Sequence, residues 1–173
     1  MNNLFQINGN DLIKYNADID WYGKYFDSFP NSSQLKISAG IYAFVLCNEI
    51  VYIGSSINLF NRLRTHVMNI QCGHKCNTQR IGERKYYYFN KYITDMQYML
   101  LQVYDKNISK LELEAHEYKH IQMHNPIFNV QYRGQRRIWN GTDQDIDNFV
   151  NGIVTIDELK RRYTYDTAQK RIT

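Results

Sequence analysis

The feature that most constrains this chain is a pair of apolar runs of strand length, separated by a very short polar break. Residues 40–46 read GIYAFVL, and Ile50–Ile53 resumes the apolar run directly after Asn48 and Glu49. Unbroken apolar runs of about four to eight residues are typical of strands that are buried on both faces. The short break predicts a β-hairpin, so the two runs lie side by side in one sheet.

The segments around this hairpin carry mostly helical patterns. Gly54–Ser56 ends the second run, and Ser109 with Glu112 forms a capping-box pair at the start of a later helix. The predicted helices cover 18–29, 58–70, 86–93, 109–124, 143–150 and 155–163, and a third buried strand covers 97–104. This order predicts an α/β (α+β) protein with a small three-stranded, mainly antiparallel sheet flanked by helices.

Composition and charge narrow the class of protein. The chain has 173 residues, of which 43% are hydrophobic and 22% charged, as in an ordinary globular domain. We expect a helical N-terminal extension over 1–37, a main domain over 38–131 and a basic helical tail over 132–173. No run approaches the ~20 apolar residues that span a bilayer, and no signal peptide is visible. Three cysteines favour a reducing cytoplasm.

Two tripeptides frame the hairpin. Gly40-Ile41-Tyr42 opens the first strand, and Tyr52-Ile53-Gly54 closes the second. Because the strands are neighbours, both tyrosines can line one site. The residues that continue the pattern along the chain are Arg62, Glu117, Ile121, Pro126, Phe128 and Asn129.

This order of residues over 38–131 resembles the GIY-YIG nuclease family. The resemblance implies the GIY-YIG fold and an endodeoxyribonuclease that hydrolyses phosphodiester bonds in double-stranded DNA. It also implies one divalent cation held chiefly by Glu117. A cation held by one carboxylate and several waters suits Mg²⁺ (or Mn²⁺).

The resemblance implies a role for each of the other matching residues. Arg62 would neutralise the scissile phosphate, a bidentate task that suits a guanidinium. Tyr42 would be the general base, with a pKa lowered by nearby cations, and Tyr52 would position the water or the phosphate. His66 aligns with a histidine of some members and would assist the base or contact phosphate. Asn129 would orient the site through hydrogen bonds.

The glutamate is not chosen by helical periodicity alone. Glu112, Glu114 and Glu117 all lie on the predicted helix, and Glu114 is the nearest of the three to its expected apolar face. That expected face consists of Leu111, Ala115, Tyr118 and Ile121. The spacing to the Pro-x-Phe-Asn ending selects Glu117.

Several basic side chains alternate with aromatic and amide residues, a mixture suited to DNA backbone contacts. For each one, a solvated surface charge is the alternative interpretation. The candidates are Arg64, Arg80, Arg84, Lys85, Arg133, Arg136 and Arg137. A further basic cluster is Lys160, Arg161 and Arg162. Cys72, His74 and Cys76 invite a zinc interpretation, but their spacing matches no common structural zinc site.

The segments outside the matching region indicate a biological role. The tail over 132–173 is too short for the linker and separate DNA-binding domain that homing enzymes carry. The chain therefore resembles compact restriction-like or phage-encoded nucleases, which pair or oligomerise, in the cytoplasm of a bacterial or phage-infected cell. A homing or mobile-element endonuclease is the first alternative, and a catalytically silent DNA-binding module of the same fold is the second.

Overall fold

The computed structural model describes residues 6–14, 32–71, 81–132 and 135–165. The main sheet is antiparallel, with the order β1-β4-β2-β3. Its strands are β1 (Gln6–Asn8), β2 (Ser38–Leu46), β3 (Glu49–Ser56) and β4 (Met96–Asp105). The three strands predicted from the sequence are therefore confirmed, and β1 adds a fourth. A three-residue edge strand is too short to carry a period of its own.

Helices flank this sheet, and a smaller sheet follows it. The helices are α1 (Gly9–Lys14), α2 (Ser32–Lys36), α3 (Leu59–Gln71), α4 (Ile81–Lys91), α5 (Lys110–His124), α6 (Asp143–Val150) and α7 (Ile156–Lys160). The second sheet contains β5 (Gln131–Tyr132), β6 (Gln135–Trp139) and β7 (Tyr163–Tyr165), in that order. The predicted mixture of an antiparallel sheet and flanking helices is confirmed.

The central hairpin turns at Cys47 and Asn48, one residue earlier than predicted. Both residues have a positive φ, 52° and 64°, which is the backbone of a two-residue turn that matches strand twist. Across the hairpin Tyr42 pairs with Gly54, and Phe44 pairs with Tyr52. The two tyrosines are therefore diagonal neighbours on one face of the sheet.

The sheet separates two apolar layers. The side chains of Tyr42, Phe44 and Leu46 on β2 enter the larger core, together with α3 and α4. The alternate β2 residues face Leu113 and Ile121 of α5 in a smaller core. The predicted stripe of α3 is buried as expected, and it comprises Leu59, Leu63, Val67 and Ile70.

The C-terminal segment is part of the main core. Ile146, Phe149 and Leu159 are buried in the same cluster as the sheet tyrosines. Helix α6 has the predicted bounds, and Thr155 with Glu158 forms the expected capping box of α7. The strands β6 and β7 were not expected, so this segment is more than a helical tail.

Some predictions concern residues that the structure does not describe. The helix over 18–29 and the cysteines Cys72 and Cys76 lie outside the described residues. Within the parts of the chain that the structure describes, no helix is both long and apolar enough to cross a membrane.

Candidate active site

A cleft of ≈ 420 Å³ lies beside the C-terminal end of β3. Because β3 is the edge strand of the sheet, residues from both of its faces can reach this cleft. Helix α3 contributes Arg62 from one face, and α5 contributes Glu117 from the other. The full lining is Ser55, Ser56, Ile57, Arg62, Lys110, Leu113, Glu114 and Glu117.

Helix α3 carries two predicted site residues that contact the hydroxyl of Tyr42. Its start is fixed by Asn58, whose side-chain oxygen accepts a hydrogen bond from the Asn61 N–H at 2.9 Å. Arg62 and His66 are four residues apart and share a helix face. Arg62 Nε donates to the Tyr42 hydroxyl at 2.9 Å, and His66 Nε2 lies 2.7 Å from the same oxygen.

The tyrosines of the two tripeptides meet on the same side. The ring centroids of Tyr42 and Tyr52 are 6.4 Å apart, and both rings also contact His66. Tyr42 has no exposed surface, and Arg62 covers its hydroxyl on the side of the cleft. The structure therefore brings together Tyr42, Tyr52, Arg62 and His66.

The glycines of the tripeptides leave room for close approach. A Cβ at Gly54 would overlap the hydroxyl of Tyr42, which lies directly across the hairpin. A Cβ at Gly40 would stand 2.5 Å from the carbonyl oxygen of Gln102 on β4. Only glycine fits either position without moving a neighbour.

The environment of Tyr42 corrects one prediction. Burial raises the pKa of Tyr42 well above its ordinary value, Tyr52 adds to this, and Arg62 opposes it. The expected lowering is therefore wrong, because loss of hydration outweighs the neighbouring cation. Burial likewise raises the pKa of Tyr52 to about 12. Burial, Arg62 and Lys85 lower the pKa of His66 well below its usual range, so the imidazole is neutral at physiological pH.

Glu117 lies on the buried stripe of α5. Leu113 and Ile121, four residues before and after it, are the buried residues of this helix. The expected apolar face is wrong, since Leu111 is 79% exposed and Tyr118 47%. The spacing of Leu113, Glu117 and Ile121 was the signal in the sequence that would have selected this glutamate.

Ser55 holds the Glu117 carboxylate. Its hydroxyl donates to Glu117 Oε2 across the cleft floor. Burial raises the pKa of Glu117, while Ser55 and Arg62 oppose that shift. Sequence reasoning missed Ser55, although its place next to Gly54 on the edge strand puts it beside α5.

The oxygen donors of the cleft suit a hard divalent cation. No group of three or more His, Cys, Asp or Glu side chains that could hold a metal exists among the described residues. A cation here would rest on Glu117 together with water, near the oxygens of Ser55, Ser56 and Glu114. Mg²⁺ and Mn²⁺ accept such a set of oxygens and waters, whereas zinc sites in proteins use three or four Cys, His or carboxylate ligands.

Asn129 forms hydrogen bonds with the outer edge of β3. Its side-chain amide donates to the Ile53 carbonyl at 2.8 Å and accepts from the Ile53 N–H at 2.9 Å. It thus satisfies two backbone groups that an edge strand would leave unpaired. Asn129 does not line the cleft, so it orients the site through the strand that carries Gly54 and Ser55.

Arg137 locks the loop that carries Asn129. The side chain is only 4% exposed, and it donates to the Asn129 carbonyl at 3.0 Å, to Asn125 Oδ1 at 2.6 Å and to the Pro126 carbonyl. A buried guanidinium bound to three oxygens is not available to DNA. The prediction that Arg137 contacts DNA is therefore wrong, and a charge count could not reveal its burial.

The other basic candidates are dispersed. The Lys85 ammonium lies 4.3 Å from the centre of the Tyr52 ring, where burial and Arg62 lower its pKa to about 8. Arg84 pairs with Asp143 at 2.6 Å. Arg64 is half-buried on α3 and Arg136 is exposed on β6. Arg80 and Arg133 lie outside the described residues.

Comparisons with known proteins add one structural likeness. Neither a protein-family model nor a curated protein matches this chain. A solved structure that is similar is the GIY-YIG N-terminal endonuclease domain of UvrC from Thermotoga maritima, a point mutant bound to the catalytic divalent cation. The similarity covers 57% of this chain and 93% of that one, at 18% sequence identity and a TM-score of 0.35.

Proposed function

We propose that this protein is a metal-dependent endonuclease that hydrolyses phosphodiester bonds in double-stranded DNA. The observation that carries the proposal is one cleft in which the Arg62 guanidinium faces the Glu117 carboxylate, with Tyr42 directly behind Arg62. The order of the tripeptides, Arg62, Glu117 and Asn129 resembles the GIY-YIG nucleases and supports the same assignment.

The positive side of the cleft suits a phosphate. Arg62 can offer two parallel N–H donors to two phosphate oxygens. Lys85 adds a second cation behind it, over the Tyr52 ring. Arg62 would hold the scissile group, and both cations would stabilise the charge that grows on its oxygens during attack.

The acidic side of the cleft requires a cation. Glu117 and Glu114 would repel a DNA phosphate unless a divalent ion stood between them. Bound there, Mg²⁺ or Mn²⁺ would supply Lewis-acid stabilisation of the phosphoryl and leaving oxygens. Glu117, fixed by Ser55, is the residue that would hold it. A silent DNA-binding module has no use for carboxylates at this place, which favours the enzyme.

Tyr42 is the proposed general base and Tyr52 the residue that positions the attacking water. Arg62 covers the Tyr42 hydroxyl in the protein alone. A phosphate in the cleft would draw the guanidinium towards itself and open this oxygen to water. His66 Nε2, at 2.7 Å, is the neighbouring group that can accept the proton of the Tyr42 hydroxyl.

The proposed biological role is that of a restriction-like or phage-encoded enzyme. One assay tests both the nuclease activity and the biological role. Purified protein is incubated with supercoiled plasmid and phage DNA in the presence of Mg²⁺, Mn²⁺ or EDTA. Discrete fragments that require the metal support a sequence-specific enzyme, and a long asymmetric target would replace the restriction-like role by a homing one.

The same assay separates this enzyme from a contaminant. Arg62→Lys keeps the charge but loses the bidentate fork, and we expect cleavage to fall by about a hundredfold. Arg136→Lys, at an exposed arginine of β6, is the matched control: it keeps the positive charge that a DNA backbone contact needs, so it should cleave like the wild type. If the wild type binds DNA but does not cut it with either Mg²⁺ or Mn²⁺, the proposed nuclease activity is wrong.

A further inference from the structure

His66 uses both of its ring nitrogens, and each contacts a tyrosine. Nε2 lies 2.7 Å from the Tyr42 hydroxyl, and Nδ1 lies 2.9 Å from the hydroxyl of Tyr86 on α4. Tyr42 and His66 have no exposed surface, whereas Tyr86 is half-buried. The three side chains form a chain that runs from behind the cleft towards solvent.

The donors of this chain can be assigned from its chemistry. Arg62 can only donate, so the Tyr42 oxygen is an acceptor in that bond. The hydroxyl proton of a fully buried Tyr42 needs an acceptor of its own, and His66 Nε2 lies within 2.7 Å. A neutral imidazole that accepts at Nε2 carries its proton at Nδ1 and donates it to the Tyr86 oxygen.

Building on the proposed function, we propose that Tyr86 is a positioning residue that holds His66 in the Nδ1–H tautomer, so that Nε2 accepts the Tyr42 proton during cleavage. The tautomer of a histidine is set by the bond that its other nitrogen makes. With the proton on Nε2 instead, His66 could only donate to Tyr42, and the hydroxyl proton of Tyr42 would have no acceptor.

The proton count closes over one turnover. The bond from the water oxygen to phosphorus forms as the bond from phosphorus to the leaving oxygen breaks, and the leaving oxygen takes a proton from solvent. In the same step the Tyr42 O–H bond breaks and its proton bonds to His66 Nε2, while the Tyr42 oxygen takes a proton from the attacking water. The resulting imidazolium keeps its Nδ1–H bond to Tyr86. As the product leaves and before Arg62 covers it again, Tyr42 gives the water-derived proton to solvent, and His66 returns the Nε2 proton to Tyr42. The net result is one water added across the phosphodiester bond, since the proton given to solvent matches the one that the leaving oxygen takes.

The hydroxyl of Tyr86 matters for this role, and its ring does not. The ring packs against His66 at 5.7 Å and against Phe89 at 6.3 Å between centroids. A phenylalanine would keep both contacts. Tyr86→Phe therefore removes the acceptor of the Nδ1–H bond with little change in packing.

The tautomer can be read without DNA. A long-range ¹H–¹⁵N NMR spectrum of the ¹⁵N-labelled protein distinguishes protonated from unprotonated ring nitrogens, and His66→Gln identifies the His66 signals. We expect a protonated Nδ1 and a bare Nε2 in the wild type, and a shift towards protonated Nε2 in Tyr86→Phe. A wild-type His66 protonated on Nε2 would overturn the proposal without any variant.

Cleavage kinetics test the consequence. We expect Tyr86→Phe to lower kcat by about 10- to 100-fold with KM unchanged, because a positioning residue contributes no more than the low end of a direct general acid–base effect. Tyr87→Phe, on the same helix and packed on Tyr88, is the control and should match the wild type. An unchanged kcat in Tyr86→Phe contradicts the positioning role. A wild type that shows the expected tautomer but never cuts DNA contradicts the proposed function instead.

Discussion

Among single residues, His66 has the most demanding environment, because it is fully buried beside two cations. Burial, Arg62 and Lys85 lower its pKa well below the ordinary 6.5. As the pH falls through about 6.5, the unfolded chain gains a proton that the folded protein does not take up. Stability is therefore lost with acid, and His66 contributes to that loss between about pH 7.5 and about pH 5.5.

Urea unfolding of the wild type and His66→Gln at these two pH values measures the contribution. Burial also lowers the pKa of His120 and His124, so part of the acid sensitivity will remain in the variant. The difference between the two proteins isolates His66. Equal loss of stability in both proteins would show that His66 is not held neutral.

The residues of the candidate site were only partly predictable. The tripeptides led to Tyr42 and Tyr52 because they frame one hairpin, whose neighbouring strands bring both tyrosines to one face of the sheet. Burial could not be read from charge, so Arg137 was wrongly assigned to DNA. Ser55 and Tyr86 were missed, because each acts through a partner that is distant in sequence.

At the scale of elements, α6 holds α4 against the core. Asp143 of α6 accepts hydrogen bonds from Tyr88 at 2.5 Å and from Arg84 at 2.6 Å, and Asp147 pairs with Lys91 at 2.6 Å. Helix α4 also carries Lys85 and Tyr86, which reach the Tyr42 network. The acidic face of α6 thus supports the helix whose Lys85 and Tyr86 contact Tyr52 and His66.

Asp143→Asn tests this support. It leaves Tyr88 and Arg84 with a weaker acceptor, and we expect a loss of about 1–2 kcal/mol in the free energy of unfolding together with slower cleavage. Asp157→Asn on α7, whose carboxylate is 76% exposed, is the control and should change neither quantity measurably. Unaltered stability and cleavage in Asp143→Asn would show that α6 does not hold α4.

Long elements with a clear period were predictable, and short ones were not. Helices α3 and α6 were found nearly to the residue, because their apolar spacing and caps agree. Strands β1, β5 and β7 have two or three residues, so their pairing is decided by tertiary contacts rather than by local pattern.

At the scale of the whole molecule, the C-terminal segment and the main sheet share one core. Phe149 is 6% exposed and belongs to the same cluster as Tyr42 and Phe44. We expect one cooperative unfolding transition for the whole chain. Phe149→Ala should lower its stability by about 3–5 kcal/mol, whereas Ile153→Ala, at a residue that is 69% exposed, should stay within about 0.5 kcal/mol.

Calorimetry of both variants measures the number of unfolding transitions and the loss of stability. If Phe149→Ala split the transition, so that the sheet melted at its wild-type temperature, the tail would be a separate unit.

We propose that one cleft cuts DNA with a cation held by Glu117. The most direct test is to measure binding and single-turnover cleavage of the same duplex by the wild type, Glu117→Ala and the control Glu112→Ala, a neighbouring exposed carboxylate on α5. We predict that Glu117→Ala binds DNA as tightly as the wild type but cuts at least about a thousandfold more slowly, while Glu112→Ala does both normally. Cleavage by Glu117→Ala at the wild-type rate would show that Glu117 does not hold a catalytic cation.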